Sequence, residues 1–383
     1  MSDLLQVATR KGLFEIARKN GGWDIVASHF LGDPISAVLT IDGMTLAAPD
    51  LGHFGPKLWR RDGKGTWAEM AMPTFPEKPA DAEDDPHPWT LGRIWNFTPG
   101  GVPGRLYAGT MPGGLFRSDD MGETWSLVEG LWLHPDRKKW FGVAGGEQPG
   151  LSSVLVDPRD PAHVTVGVST GGVWATRDEG RTWNVINKGM TNEYMPPDQQ
   201  GDPIPQDIHQ LAQCPGHPDV MWCQHHSAIF RSIDGGENWT MVTAAKPTGF
   251  GFAVQAHPTD GDTAWFVPAD KDERRIPKDG KLVVSRTRDG GKTFEVLSKG
   301  LPQRHAYDLV YRHALAVDET GERLAFGSTS GGFWISEDAG DSWQALDARL
   351  PPISAGLRNT LGSSAPPRVA RSRSTCRWFS GSI

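Results

Sequence analysis

Three cysteines in 383 residues form no disulfide framework, and Cys214, Cys223 and Cys376 have no zinc-ligand spacing. A Cys214–Cys223 bridge across neighbouring strands is geometrically conceivable. No apolar run is long enough for a membrane-spanning helix. The N-terminal Met1-Ser2-Asp3-Leu4-Leu5 leads straight into a strand, without the charged and apolar regions of a secretory signal. No long stretch keeps a helical period. Net charge is −7 with both signs interspersed, which is not the footprint of a phosphate-backbone binder. These absences predict a soluble, cytoplasmic protein with neither nucleic acid nor membrane as partner.

What the chain has is turn formers and tryptophan: 46 Gly, 30 Pro and 16 Trp. They fall into a recurring octad, Ser/Thr-x-Asp-x-Gly-x-Thr-Trp, first met as Ser118 to Trp125. It returns around Asp178, Asp234, Asp289 and Asp338, each time with Gly two residues on and a Trp or Phe at the close. A short carboxylate accepts hydrogen bonds from nearby backbone N–H groups, and Gly supplies an angle that other residues resist. Asp120, Asp178, Asp234, Asp289 and Asp338 are therefore read as turn residues between two strands. Degenerate copies around Asp62 and Asn20 complete the series. The closing aromatics are then Trp23, Trp67, Trp125, Trp183, Trp239, Phe294 and Trp343. They lie roughly 50 residues apart, the length of one four-stranded blade with insertions. The expected fold is an all-β, seven-bladed β-propeller over residues 1–355.

The chain starts at a second strand, Leu5 to Thr9, so the first strand of that blade has to come from the C-terminus, which removes an exposed edge. Leu350 to Ala355 begins as Asp33 to Val38 does. After it comes a Ser/Arg/Pro-rich stretch without alternation, so residues 356–383 are read as a disordered or non-native tail.

The octad resembles the Asp-box, or BNR, repeat of sialidase-like propellers. The resemblance implies that the boxes lie on the face away from the ligand site. Sialidases of this superfamily carry an Arg-Ile-Pro motif near the start of the propeller, and here Arg275-Ile276-Pro277 falls in the sixth repeat, which argues against an ordinary sialidase. Across residues 5–345 the chain also resembles bacterial single-propeller proteins related to photosystem II stability/assembly factors, and the repeat units of xyloglucanases. Xyloglucanases work between two propellers and this chain has one, so no catalytic motif carries over.

Function is expected where blade-to-blade connections meet around the central channel. Aligned on their closing turns, the first strands carry Ala37, Arg93, Ser152, His209, Phe252 and His313 on one face, with Asp207 and Tyr311 two residues earlier. Loops add Lys11, Asp50, His53, Lys57, His87, Glu147, His225, His226, His305 and Asp308. Asp207 and Glu147 form the best carboxylate pair for glycoside hydrolysis. Arg93, His209, His313, Tyr311, Ser152, His53 and Trp89 are candidates for substrate binding, and Trp132, Trp140 and Tyr194 could stack on sugars. No cofactor is expected, although a divalent metal on His209, His313 and Asp207 is chemically reasonable. Two readings stay open: a carbohydrate-acting, glycosidase-like propeller, and a non-catalytic scaffold binding a protein or small ligand.

Overall fold

The computed structural model describes residues 3–142 and 148–353, with the backbone of 357–359. The described residues form seven four-stranded sheets, each of antiparallel neighbours. Blade 4 is typical, with strands Leu151–Asp157, Asp160–Val168, Gly172–Thr176 and Asn184–Val185. Blade 1 consists of Leu4–Thr9, Gly12–Lys19 and Gly22–His29, closed by Leu357–Asn359. Leu5, Gln6 and Val7 pair with Asn359, Arg358 and Leu357, so the termini share one blade. That closing strand lies inside the stretch 356–383, whose composition suggests a tail. The rest of that stretch, including Cys376, is outside the described residues. Cys214 and Cys223 are free, buried thiols rather than a bridge. No described helix is long and apolar enough to cross a membrane.

The octads are turns, and their hydrogen bonds repeat. In the first, Ser118 Oγ donates to Asp120 Oδ1 at 2.7 Å, while Thr124 N–H donates to the same oxygen at 2.9 Å and Gly122 N–H to Ser118 Oγ at 2.8 Å. Thr176, Asp178, Gly180 and Thr182 repeat the pattern. Two successive residues take the left-handed conformation, Met121 at φ 57° and Gly122 at 86°, which is why Gly holds the second place. The closing aromatics fall between blades: Trp183 joins Leu151 of its own sheet and Leu115 and Val128 of the preceding blade in one core, and Trp239 joins Val173 and Ile186. Each such burial contributes about 2–3 kcal/mol.

The strand registers define two ends of the barrel. Thr176, at the octad turn, pairs with Val164, which pairs with Val156 near the close of the first strand. The opposite end, at Leu151, Val168 and Gly172, bears the long connections. It is called the loop-bearing end below.

Candidate functional site

One irregularity recurs at the loop-bearing end of the first strands. Register shifts occur between Ile35 and Ala37, Ile94 and Asn96, Leu151 and Ser153, Ile208 and Gln210, and Gly251 and Ala253. Each is a one-residue bulge, which re-aims the extra side chain. The bulged residues are Ser36, Trp95, Ser152, His209 and Phe252. Four of them meet Tyr311, Arg312 or His313, which precede the strand Leu315–Val317, or one another. His209 stacks on Phe252 with ring centroids 4.3 Å apart, Phe252 meets Tyr311 at 5.2 Å, and Trp95 meets His313 at 5.9 Å. The Arg312 guanidinium lies 4.9 Å from the Trp95 ring and 5.5 Å from Phe252. Together they close the channel. A cavity of about 330 Å³ lies on the octad side of this layer, lined by Trp95, Ser152, Gln210, Gln255, His313 and other polar and apolar strand residues, with no carboxylate.

Polar side chains of the first strands mostly join blade to blade, because neighbouring first strands have no ladder between them. Asn96 Nδ2 donates to Leu151 O at 2.7 Å, Ser152 Oγ to Ile208 O at 2.8 Å, and Gln255 Nε2 to Leu315 O at 3.0 Å. Gln210 Oε1 accepts from Val254 N–H at 2.9 Å. His313 Nε2 lies 2.7 Å from Ser152 O across the channel.

Above the layer, on the loop-bearing side, lies a compact acid–histidine cluster. Asp207 Oδ2 is 3.2 Å from His226 Nδ1 and 3.7 Å from His209 Nε2, and the two ring nitrogens are 3.1 Å apart. Ser169 Oγ and Thr170 N–H donate to Asp207 Oδ1 at 3.3 and 3.2 Å. All three members of the cluster are buried. Burial pushes the Asp207 pKa up, but the His226 hydrogen bond and the nearby His209 and Arg312 outweigh it and hold the carboxylate ionised, well below its usual range. Burial pushes His209 well below the usual histidine range, against the smaller pull of Asp207. His225 is lowered to about 4 by burial. These three potential metal ligands, Asp207, His209 and His226, have their donor atoms within 4.8 Å of one another.

The other residues singled out from sequence are placed elsewhere. Arg93 is exposed at the loop-bearing end, 3.4 Å from Asp50, and His53 there packs on Phe54 at 3.9 Å. Trp89 packs on Trp132 and donates its indole N–H to Asp85 at 2.8 Å, so it supports a loop. Trp132 and Trp140 are fully buried. Glu147 is outside the described residues. Sequence reasoning missed Arg312 and also Asp272, whose Oδ2 lies 3.6 Å from His226 Nε2. Arg275 pairs with Asp272 and lies 5.5 Å from the Phe252 ring.

Among the described residues, the exposed large aromatics are Phe54, Phe141, Tyr194 and Tyr307. Each belongs to the loop-bearing end. Phe54 sits in the turn between Met44–Pro49 and Trp59–Asp62, Phe141 N–H bonds Thr170 O, Tyr194 lies edge-on to His226 at 4.5 Å, and Tyr307 follows Ala306, whose N–H bonds Gly280 O.

No family model matches the chain. It is 31% identical over 154 residues to a xyloglucanase of Paenibacillus sp, covering 36% of this chain and 14% of that relative. The chain thus spans a small part of that enzyme. Among solved structures it is similar to YCF48 bound to D1 peptide, with TM-score 0.51, 15% identity and 83% of each chain covered. It is also similar to an ancestral GH74 enzyme, with TM-score 0.52, 13% identity, and 79% of this chain and 36% of that one covered. At these identities the structural likeness establishes the propeller fold.

Proposed function

We propose that this chain is a carbohydrate-binding propeller that holds a neutral polysaccharide on its loop-bearing face and does not hydrolyse it. The observation that carries this reading is the one-sided placement of Phe54, Phe141, Tyr194 and Tyr307. Aromatic rings stack on the apolar faces of sugars, and exposed rings gathered on one face mark a binding surface. Their spread over several blades suits an extended ligand. Similarity to a xyloglucanase supports the sugar class.

Asp207 argues against hydrolysis. A glycosidase needs two carboxyl groups flanking one bond, and the general acid must carry a proton. Asp207 is ionised, which removes it as the acid, and it is buried with its oxygens engaged by Ser169, Thr170 and His226, which leaves none free to act as nucleophile or base. Its expected partner Glu147 therefore enters through experiment.

The test is to incubate the purified chain with xyloglucan and a panel of aryl glycosides, alongside Asp207→Asn and Glu147→Gln. Binding to the polymer without release of reducing ends is expected. Turnover that either substitution abolishes would replace this reading with the hydrolase. If no polysaccharide binds, the same aromatic face is better suited to a protein partner, whose interfaces are also rich in Tyr and Phe.

A further inference from the structure

We infer that Asp207, His209 and His226 form a binding site for a single divalent transition metal of the zinc class, with Asp272 and Gly251 orienting the two imidazoles. The first ground is size. A tetrahedral ion with bonds of about 2.0–2.1 Å to nitrogen and oxygen has donor atoms roughly 3.3 Å apart. The three donor separations are 3.1, 3.2 and 3.7 Å. These atoms form one triangular face of such a polyhedron without any rearrangement of the backbone.

The second ground is which ring nitrogen carries a proton. His209 Nδ1 lies 2.6 Å from Gly251 O, a carbonyl that can only accept, so the proton is on Nδ1 and the Nε2 lone pair faces the cluster. His226 Nδ1 gives its proton to Asp207 when no ion is bound; an ion that displaces this proton moves it to Nε2, which lies 3.6 Å from Asp272 Oδ2. A ligating histidine that gives its other N–H to a carbonyl or carboxylate is the usual outer-shell arrangement of protein metal sites. Three acceptors this close require a cation between them, either a proton on one ring or a metal ion shared by all three.

Charge and access agree. Asp207 supplies one negative charge at the ion, and Asp272, shared with Arg275, lies behind His226. Arg312 Nη2 lies 3.5 Å from Ser169 Oγ, which is itself 3.3 Å from Asp207 Oδ1, the carboxylate oxygen that does not face the imidazoles. Two nitrogens and one oxygen select zinc, cobalt or nickel over magnesium and calcium, which take oxygen shells. Three protein ligands leave one position of a four-coordinate ion for an exogenous donor, and Tyr194 packs edge-on against His226 on the loop-bearing side. The site does not depend on the ligand proposed for the aromatic face.

The experiment loads the full chain with Zn2+ or Co2+, removes loose metal by dialysis, and counts retained metal by elemental analysis, with the visible spectrum of the cobalt form recorded. About one equivalent and the intense ligand-field bands of tetrahedral cobalt are expected. His226→Gln and Asp207→Asn should each lose the retained ion while keeping the β-sheet circular dichroism of the parent. Should those variants fail to fold, Asp272→Asn decides, since an outer-shell change should weaken affinity about 10- to 100-fold and leave the fold alone. No retained metal in the parent, or equal retention in parent and all variants, overturns the assignment and leaves a proton as the shared cation.

Discussion

His225 is a buried side chain whose ionisation couples to folding. Its ring nitrogens lie 3.1 Å from Asp207 N and 3.0 Å from Ser227 N; a neutral ring can accept from one of these N–H groups and a charged ring from neither. With a folded pKa of about 4 against the ordinary 6.5, the unfolded chain binds the proton first. Stability from this group is therefore complete above pH 6.5 and falls as pH drops towards 4, by on the order of 3 kcal/mol. A melting temperature that drops between pH 6.5 and 4, with a shallower slope in His225→Gln, is the expected result. Asp85 gives a second prediction. Its side chain is buried against Arg137, which also covers the Trp132 ring at 4.0 Å. Burial raises its pKa, but Arg137, the His87 N–H and the Trp89 indole hold it at about 2. Asp85→Ala strands a buried guanidinium and should cost about 3–5 kcal/mol by denaturant midpoint. At this scale the octad residues were legible because their bonds are local in sequence. Arg312 was not: Tyr311, Arg312 and His313 precede the strand Leu315–Val317, so strand alternation does not govern where they point.

Elements were legible as far as local periodicity reaches. The second and third strands, with their Gly-flanked pairing, lie where the pattern places them. The bulges were invisible, since an extra residue in a first strand leaves no mark in composition and shifts the phase of everything before it. Counting back from the closing turns selects the bulged Ser152, His209 and Phe252 but reaches Arg93 instead of Trp95, because Pro99 pairs with Leu106 within the strand, where Val156 pairs with Val164, two residues short of the turn that Pro158 marks. The closing strand Leu357–Asn359 supports a prediction of its own. It covers the edge of Leu4–Thr9 through three residue pairs. A chain ended after Ala355 should be less stable than one ended after Asn359 by roughly 1–3 kcal/mol, and more prone to self-associate. Equal melting temperatures and equal monomer fractions would remove that strand from the account.

The whole molecule divides its two ends by chemistry. The octad end is built of short turns closed by their own carboxylates, and the channel cavity beside it has no carboxylate in its lining. The loop-bearing end carries the acid–histidine cluster and the exposed aromatics. Seven-fold repetition made this architecture readable from sequence, but the face on which a ring is exposed depends on loop packing, as the burial of Trp132 and Trp140 beside exposed Phe141 illustrates.

The most direct measurement is affinity electrophoresis through gels containing xyloglucan, comparing the parent with Tyr194→Ala, Tyr307→Ala and Ile233→Ala, the last exposed in an octad turn. Loss of one stacking ring, worth about 0.5–1.5 kcal/mol, should weaken binding about 2- to 10-fold in each tyrosine variant and leave Ile233→Ala at parental affinity. An unretarded parent, or equal weakening by Ile233→Ala, would contradict a carbohydrate-binding loop face.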